Sequence, residues 1–357
     1  MKKIRYIIGS LLMTVMIIMT DNIYASAAEF KFSVNPIQSS KQLDKSLTYF
    51  DIMLKPNEQE NLQVKLGNAT DKDVKVDISI NGAKTNGNGV VEYRNNKLKN
   101  TNNLPVDISN IVEFPDQVIV PAKSEKIVDF KIKMPEKFFD GLIAGGIQFR
   151  ENGQENKSDD NKDAVAINNT FSYVLALLIR ENENEVIPDV SLNKVFINTQ
   201  YGRSNTILRL QNNSASYLNK MAIDAKVYYE NSKDAISAIK KIDMQFAPNS
   251  IMDFRIGMGT KAINAGTYSM IGTLYGDKSS LGKYEYNGEK YRYKINLNQN
   301  FKVTNKNAKE VNEENVILEK NNNKIWIIII LGLLVMIITL FAIIVFILKK
   351  RKKTSDK

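Results

Sequence analysis

The chain has 357 residues, 49 Lys+Arg against 39 Asp+Glu, and neither Cys nor His. Those two absences exclude disulfides, thiolate nucleophiles, iron–sulfur clusters, imidazole bases and conventional zinc sites, and with them most familiar hydrolase mechanisms. At 43% apolar and 25% charged residues the composition is that of a globular chain, and its length suits about two domains on a prior of roughly 150 residues each.

In chain order, Lys2, Lys3 and Arg5 precede a mostly apolar run from Tyr6 to Met19, followed by the small residues Ala25-Ser-Ala-Ala28. The pattern predicts a secretory signal peptide over 1–27, with the mature chain starting at Ala28 or Glu29. Period-2 alternation follows in Leu62, Val64, Leu66; in Val74, Val76, Ile78, Ile80; and in Val128, Phe130, Ile132, Met134. It predicts strands with one face on a core, and turn signals such as Asn68-Ala-Thr-Asp71 and Asn86-Gly-Asn-Gly89 separate them. The Asn/Gly-rich stretch from Asn81 to Asn103 is longer than a sandwich loop requires.

A first domain is placed at 28–150 and a polar linker or hairpin loop at 151–164, because residues 151–163 are all polar or Gly. A second domain is placed at 165–303, with the continuous apolar run Val174–Ile179 expected as its central strand. The two halves share a pattern. Pro121-x-x-Ser124, Phe130-Lys-Ile132 and Gly141 parallel Pro248-Asn-Ser250, Phe254-Arg-Ile256 and Gly266, at offsets of 127, 124 and 125 for the Pro, Phe and Gly. The predicted fold is all-β, two tandem Ig-like β-sandwich domains followed by one C-terminal transmembrane helix.

That helix is expected at 325–348, an uncharged run of about 36 Å that suffices to cross a bilayer core, after a polar tether at 304–324. Trp326 marks its outer boundary, and the basic tail 349–357 places the C-terminus in the cytoplasm and residues 29–324 outside the cell membrane. Three cations against Asp21 in the signal and six against Asp356 in the tail account for +7 of the +10 net charge. The nearly balanced exported part argues against nucleic acid as a partner. No Leu-Pro-x-Thr-Gly sorting motif is present.

Catalytic constellations are weak. Gly257-Met-Gly259 lacks a third glycine, and Asp71, Asp73 and Asp77 lack the spacing and bidentate Glu of a Ca²⁺ loop. The expectation is a non-enzyme with no metal and no cofactor.

Several motifs together resemble the WxL-interacting protein family, cell-surface proteins of low-GC Gram-positive bacteria. They are Phe32-Ser-Val-Asn-Pro36, Asp44-Lys-Ser-Leu-Thr-Tyr-Phe-Asp51, Leu54-Lys-Pro56, Met134-Pro135, Phe139-Asp-Gly141 and Gly145-Gly-Ile147, then Leu177 through Glu181, Gln245 through Ser250 and Gly266-Thr-Tyr268. The resemblance implies a peptidoglycan-binding first domain and a second domain for a WxL-type surface protein or a host extracellular-matrix protein.

For peptidoglycan the candidate residues are Tyr49, Phe50, Asp51, Phe139 and Asp140, since sugar recognition pairs aromatic faces with acceptors. Filling the core is the competing role of the aromatics. For a partner strand, Leu208, Arg209, Phe254 and Arg255 are expected on sheet edges because their strands carry charge. An exported Ig-like chaperone acting by strand addition, or a wall enzyme with an unrecognised carboxylate pair, stays open as an alternative.

Overall fold

Leu62, Val64 and Leu66, alternate residues of one strand, are wholly buried, as period-2 spacing demands of a strand with one face on a core. The computed structural model describes residues 31–152, 172–317 and 333–339. Contacts divide the chain into two units, and the second is discontinuous: it comprises Ala83–Glu92, Asn96–Pro105 and the chain from Asn184 onward, and unit one holds the rest.

Unit one opens with β1 (Phe32–Ile37), β2 (Phe50–Met53), β3 (Gln59–Asn68) and β4 (Val74–Gly82). The short ribbon β5 (Lys84–Thr85) and β6 (Val91–Glu92) belongs to unit two. Unit one resumes with β7 (Val112–Glu113), β8 (Gln117–Val120), β9 (Ser124–Lys133), β10 (Leu142–Glu151) and β11 (Ser172–Arg180). One sheet runs β1-β3-β9-β7 and the other β2-β11-β10-β4-β8. Alternate residues of both sheets meet in one core, where the Phe130 ring of β9 meets Phe149 of β10 edge-on at 6.1 Å.

Unit two contains β12 (Val190–Gln200), β13 (Arg203–Asn212), β14 (Leu218–Tyr229), β15 (Ser237–Phe246), β16 (Ile251–Gly257), β17 (Gly266–Lys278), β18 (Tyr284–Tyr286) and β19 (Glu289–Val303), followed by helix α1 (Asn305–Glu314). Its sheets are β12-β13-β16 and β15-β14-β17-β19-β18. Phe246, Phe254 and Tyr268 anchor its core. Burial pushes the Tyr268 hydroxyl up to about 12, and that hydroxyl donates to the Asn264 carbonyl at 2.7 Å.

The two units repeat one topology: β1-β3-β9 corresponds to β12-β13-β16, and β8-β4-β10-β11 to β15-β14-β17-β19. An asparagine ends the equivalent strands β3 and β13. The Asn68 amide donates to the carbonyls of Lys72, Val120 and Pro121, and the Asn212 amide to those of Ser216 and Ala247. Both side-chain carbonyls accept from the hydroxyl two residues on, Thr70 or Ser214, at 2.8 Å. Ser124 and Ser250 close the paired corner by donating to the carbonyl three residues back. The repeated Pro-x-Ser signal is thus one half of a corner whose other half is a buried Asn.

Four expectations change. The run Val174–Ile179 is part of β11, which sits between β10 and β2 in unit one rather than at the centre of the second domain. Since β10 and β11 are antiparallel neighbours, the polar stretch after Glu151 connects two strands of one sheet, as the hairpin-loop alternative has it, and the linker alternative falls. The expected tether begins as α1, capped by Thr304, with Ala308 and Val311 buried and the Thr199 hydroxyl donating to the Val311 carbonyl. Two apolar residues one turn apart in a polar stretch make too narrow a stripe to read from sequence.

The fourth change concerns residues 83–92 and 96–105, which are built into unit two. Gly89 O accepts from Gln245 N at 2.9 Å and Lys99 O from Ile251 N at 3.0 Å, so the segment closes the corner between the margins of β15 and β16. Gly87 and Gly89 are required there. A Cβ on Gly87 would lie 2.5 Å from the Asp253 carbonyl, and one on Gly89, whose φ is +71°, about 2.7 Å from Met244. Thr85 is wholly buried, and its hydroxyl accepts from the Ala247 N–H at 2.8 Å. Thr85→Val should therefore destabilise unit two by about 1–3 kcal/mol, the cost of one stranded buried donor, measured by urea unfolding of the whole chain.

The expected signal peptide and basic tail lie outside the described residues, as does the expected span at 325–348 except for 333–339, which are helical. Among the described residues no helix is long and apolar enough to cross a membrane.

Candidate functional site

Strand pairing leaves a gap at one end of unit one. β2 runs parallel to β11 at Leu177–Arg180, and Ser172–Ala176 extends beyond that pairing while staying in register with β10. β1 pairs with β3. Between β1 and the start of β11 lies a groove of about 510 Å³. Val34, Pro36, Leu47, Tyr173 and Leu175 give it an apolar wall, and Lys45 is the one charged residue lining it. Lys45 is exposed. The Tyr173 ring is held edge-on against buried Phe32 at 5.3 Å and also faces a second hollow of about 740 Å³ on the other side.

The sequence candidates divide around this groove. Leu47 and Thr48 line it, whereas Phe50 is 1% exposed and Tyr49 packs on the core, so the competing core role is the one Phe50 takes. Asp51 faces the solvent side of β2, and both its oxygens accept from Arg180 Nη2, at 2.8 and 3.0 Å. Of the aromatic wall, sequence reasoning missed Tyr173. It sits just before the apolar run that the reading assigned to the other domain.

Phe139 is buried and Asp140 exposed, at a turn where Gly141 takes φ +86°. The Phe139 N–H donates to Glu181 Oε2 at 2.9 Å, and Asn182 donates to Asp140. Glu181 is 7% exposed, and its second oxygen has no partner among the described residues. Burial pushes its carboxyl above the usual 4.5, the Phe139 N–H pulls it down, and the Asp140 charge adds to the rise. The folded state therefore holds this proton more tightly than the unfolded chain, so unit one loses stability as pH rises from about 4.5 through the raised value. Glu181→Gln keeps an acceptor for Phe139; it should flatten that slope and raise the melting temperature at pH 7, read by melts between pH 4 and 7.5. An unchanged slope would exclude Glu181 as its source.

In unit two the partner-edge expectation is corrected for β13. It is the central strand of its sheet, Leu208 is wholly buried, and Arg209 makes two 2.7 Å hydrogen bonds to Asp253 on the neighbouring β16. Charge on alternate residues marked a solvent-facing side, not an edge. β16 is marginal in its sheet, yet residues 83–105 cover it: Ile251 is bonded to Lys99, and Arg255 donates to Asn88 at 3.1 Å. Phe254 is 1% exposed. Among the described residues no group of three or more carboxylates is placed to hold a metal ion.

Two family models match in tandem along these units. The WxL Interacting Protein peptidoglycan binding domain matches residues 32–151, and the host binding domain of the same family matches residues 162–313. The chain belongs to the WxL Interacting Protein family. Its members' two domains are those of a cell-surface protein that binds peptidoglycan and a host or partner. The peptidoglycan model covers unit one except β11, the strand that the chain supplies after the polar stretch. Comparison with curated proteins found no match.

Among solved structures, the Pseudomonas aeruginosa CupB2 chaperone is 9% identical with a TM-score of 0.28, covering 69% of this chain and 95% of that one. The E. coli chaperone DraB is 12% identical with a TM-score of 0.26, covering 76% and 98%. A PapD-like domain of human CEP192 is 13% identical with a TM-score of 0.26, covering 46% and 97%.

Proposed function

We propose that the protein is a membrane-anchored surface scaffold. Unit one binds peptidoglycan without a covalent bond, unit two takes a WxL-type wall protein or a host ligand, and no reaction is catalysed. The observation that carries this reading is the tandem match of the two family domains over residues 32–313. The sequence supports the anchor: the uncharged run 325–348 and the cations after it suit a single span with its C-terminus in the cytoplasm.

A three-component sedimentation assay tests the bridge. Full-length protein should carry a soluble WxL-type protein into the pellet with insoluble peptidoglycan, and the WxL protein alone should stay in the supernatant. A WxL protein left in the supernatant while the chain itself pellets would remove the partner assignment; a chain that does not pellet would remove the peptidoglycan assignment. For the anchor, protease added to wall-stripped cells should leave a C-terminal membrane fragment of a few kilodaltons, and an undigested chain would refute the topology.

A further inference from the structure

We propose that a polar groove over β4 and β10 is where unit one holds the glycan strand of the cell wall, through the acetamido and hydroxyl groups of its N-acetylated sugars. The inference deepens the reading that unit one binds peptidoglycan and rests on it. The groove measures about 430 Å³ and lies wholly in unit one, lined by Asp77 and Ser79 of β4, Gln148 and Arg150 of β10, and the pair Arg94-Asn95. Strand register builds its floor. Ser79 stands opposite Gln148 and Asp77 opposite Arg150, so these four side chains share one face of the sheet, away from the core that takes Ile78 and Phe149. Segment 93–95 makes the rim. A Cβ on Gly146 would lie 2.7 Å from the Tyr93 Cβ, so the second glycine of Gly145-Gly-Ile147 is what lets this segment lie against β10 beside Gln148.

The floor selects a sugar chain over a peptide. It is sheet interior: β10 pairs with β4 on one side and β11 on the other, so a peptide backbone finds no margin along β10 to add to. Ile78, the one apolar residue in the lining, is 5% exposed and gives no pocket to an apolar side chain. What remains is a row of side-chain donors and acceptors. The Gln148 side-chain carbonyl accepts from the Ser79 hydroxyl at 3.5 Å, and its amide nitrogen donates to no protein group among the described residues. A carboxamide offers one acceptor and paired donors, the match for the N–H and C=O of an acetamido group. Asp77 accepts from Gln117, Arg150 and Asn152, which holds the row in place and balances the Arg150 charge. Two guanidinium groups against one carboxylate leave the lining at only +1, too little to select a polyanion.

The test uses full-length protein and insoluble peptidoglycan freed of attached phosphate polymers, with bound protein read after centrifugation. Glycan strands released by an amidase and separated from their peptides should, as soluble competitors, lower wild-type binding at least ten-fold, and the released stem peptides at the same concentration should not. Gln148→Ala and Asn95→Ala should each raise the half-saturating peptidoglycan concentration about five-fold, the loss of one hydrogen bond. Asn95 is exposed and Gln148 half-buried, and unchanged thermal melts confirm that the variants fold.

Glycan strands that fail to compete would overturn the glycan assignment while unit one remains a peptidoglycan binder. Undiminished binding by both folded variants would overturn the groove. Absence of wild-type binding to the insoluble polymer would overturn the reading on which the inference rests.

Discussion

A fragment ending at Arg150 should not fold, whereas one extended to Glu183 should give a cooperative transition. The shorter piece looks complete by sequence, since it stops where the polar stretch begins. It nevertheless lacks β11, which lies between β10 and β2 and supplies the buried side chains of Leu175, Leu177 and Ile179. Burial of such side chains contributes about 1.5–3 kcal/mol each, so the three together contribute roughly 5–9 kcal/mol, as much as a domain's whole net stability. Without β11, β2 also loses its only strand partner and Asp51 loses Arg180. Circular dichroism and urea titration of the two fragments decide the matter. A cooperative transition in the fragment ending at Arg150 would show that the five-stranded sheet stands without its second strand. In the whole chain Leu177→Ala should cost about 2–5 kcal/mol, because Leu177 is fully buried.

The corner asparagines should show the second large effect. Asn212→Ala takes the donor from the Ser216 carbonyl and the acceptor from the Ser214 hydroxyl, and leaves the Ala247 carbonyl with Ser250 alone, in a place where Asn212 is wholly buried. Asn68→Ala takes the amide donor from Lys72, Val120 and Pro121, although the Lys72 carbonyl keeps the Thr70 hydroxyl and the Pro121 carbonyl keeps that of Ser124, with Asn68 only 3% exposed. An unsatisfied buried group costs about 1–3 kcal/mol, and each variant leaves at least one carbonyl without the donor it had, so each should lose about 1–3 kcal/mol, measured by urea denaturation. Leucine in place of either residue would be no better, since the amide donor would still be missing. The two changes lie in separate units, so the double variant should lose the sum of the single losses. Losses below 1 kcal/mol for both single variants would mean that water satisfies the corner carbonyls.

Strand positions were legible because they are local. Alternation in residues 62–66, 74–80 and 128–134 reports which side chains must leave water, and the pleat converts that into a face whatever the partner strand is. The duplicated architecture was legible for the same reason: both units open the equivalent strands β9 and β16 with the same turn chemistry at Ser124 and Ser250. Composition also settled which chemistries are impossible, since a chain without Cys or His has no thiolate or imidazole wherever it folds.

Partner choice was not legible, because backbone hydrogen bonds carry no side-chain label. An apolar run at 174–179 is equally at home in either sandwich, and only pairing with Leu142–Arg150 and Phe50–Met53 assigned it to the first. Nor could spacing reveal that residues 83–92 and 96–105 would be built into unit two, since that depends on the Thr85 hydroxyl meeting the Ala247 N–H 162 residues away. Burial of Phe50 and exposure of Lys45 within one continuous motif were likewise decided by which residues face the core once two sheets stack. Local sequence determined which segments would be strands and which side chains wanted burial. Only the tertiary structure decided neighbours, margins and the groove, because each of these arises from residues far apart in the chain competing for the same buried surface.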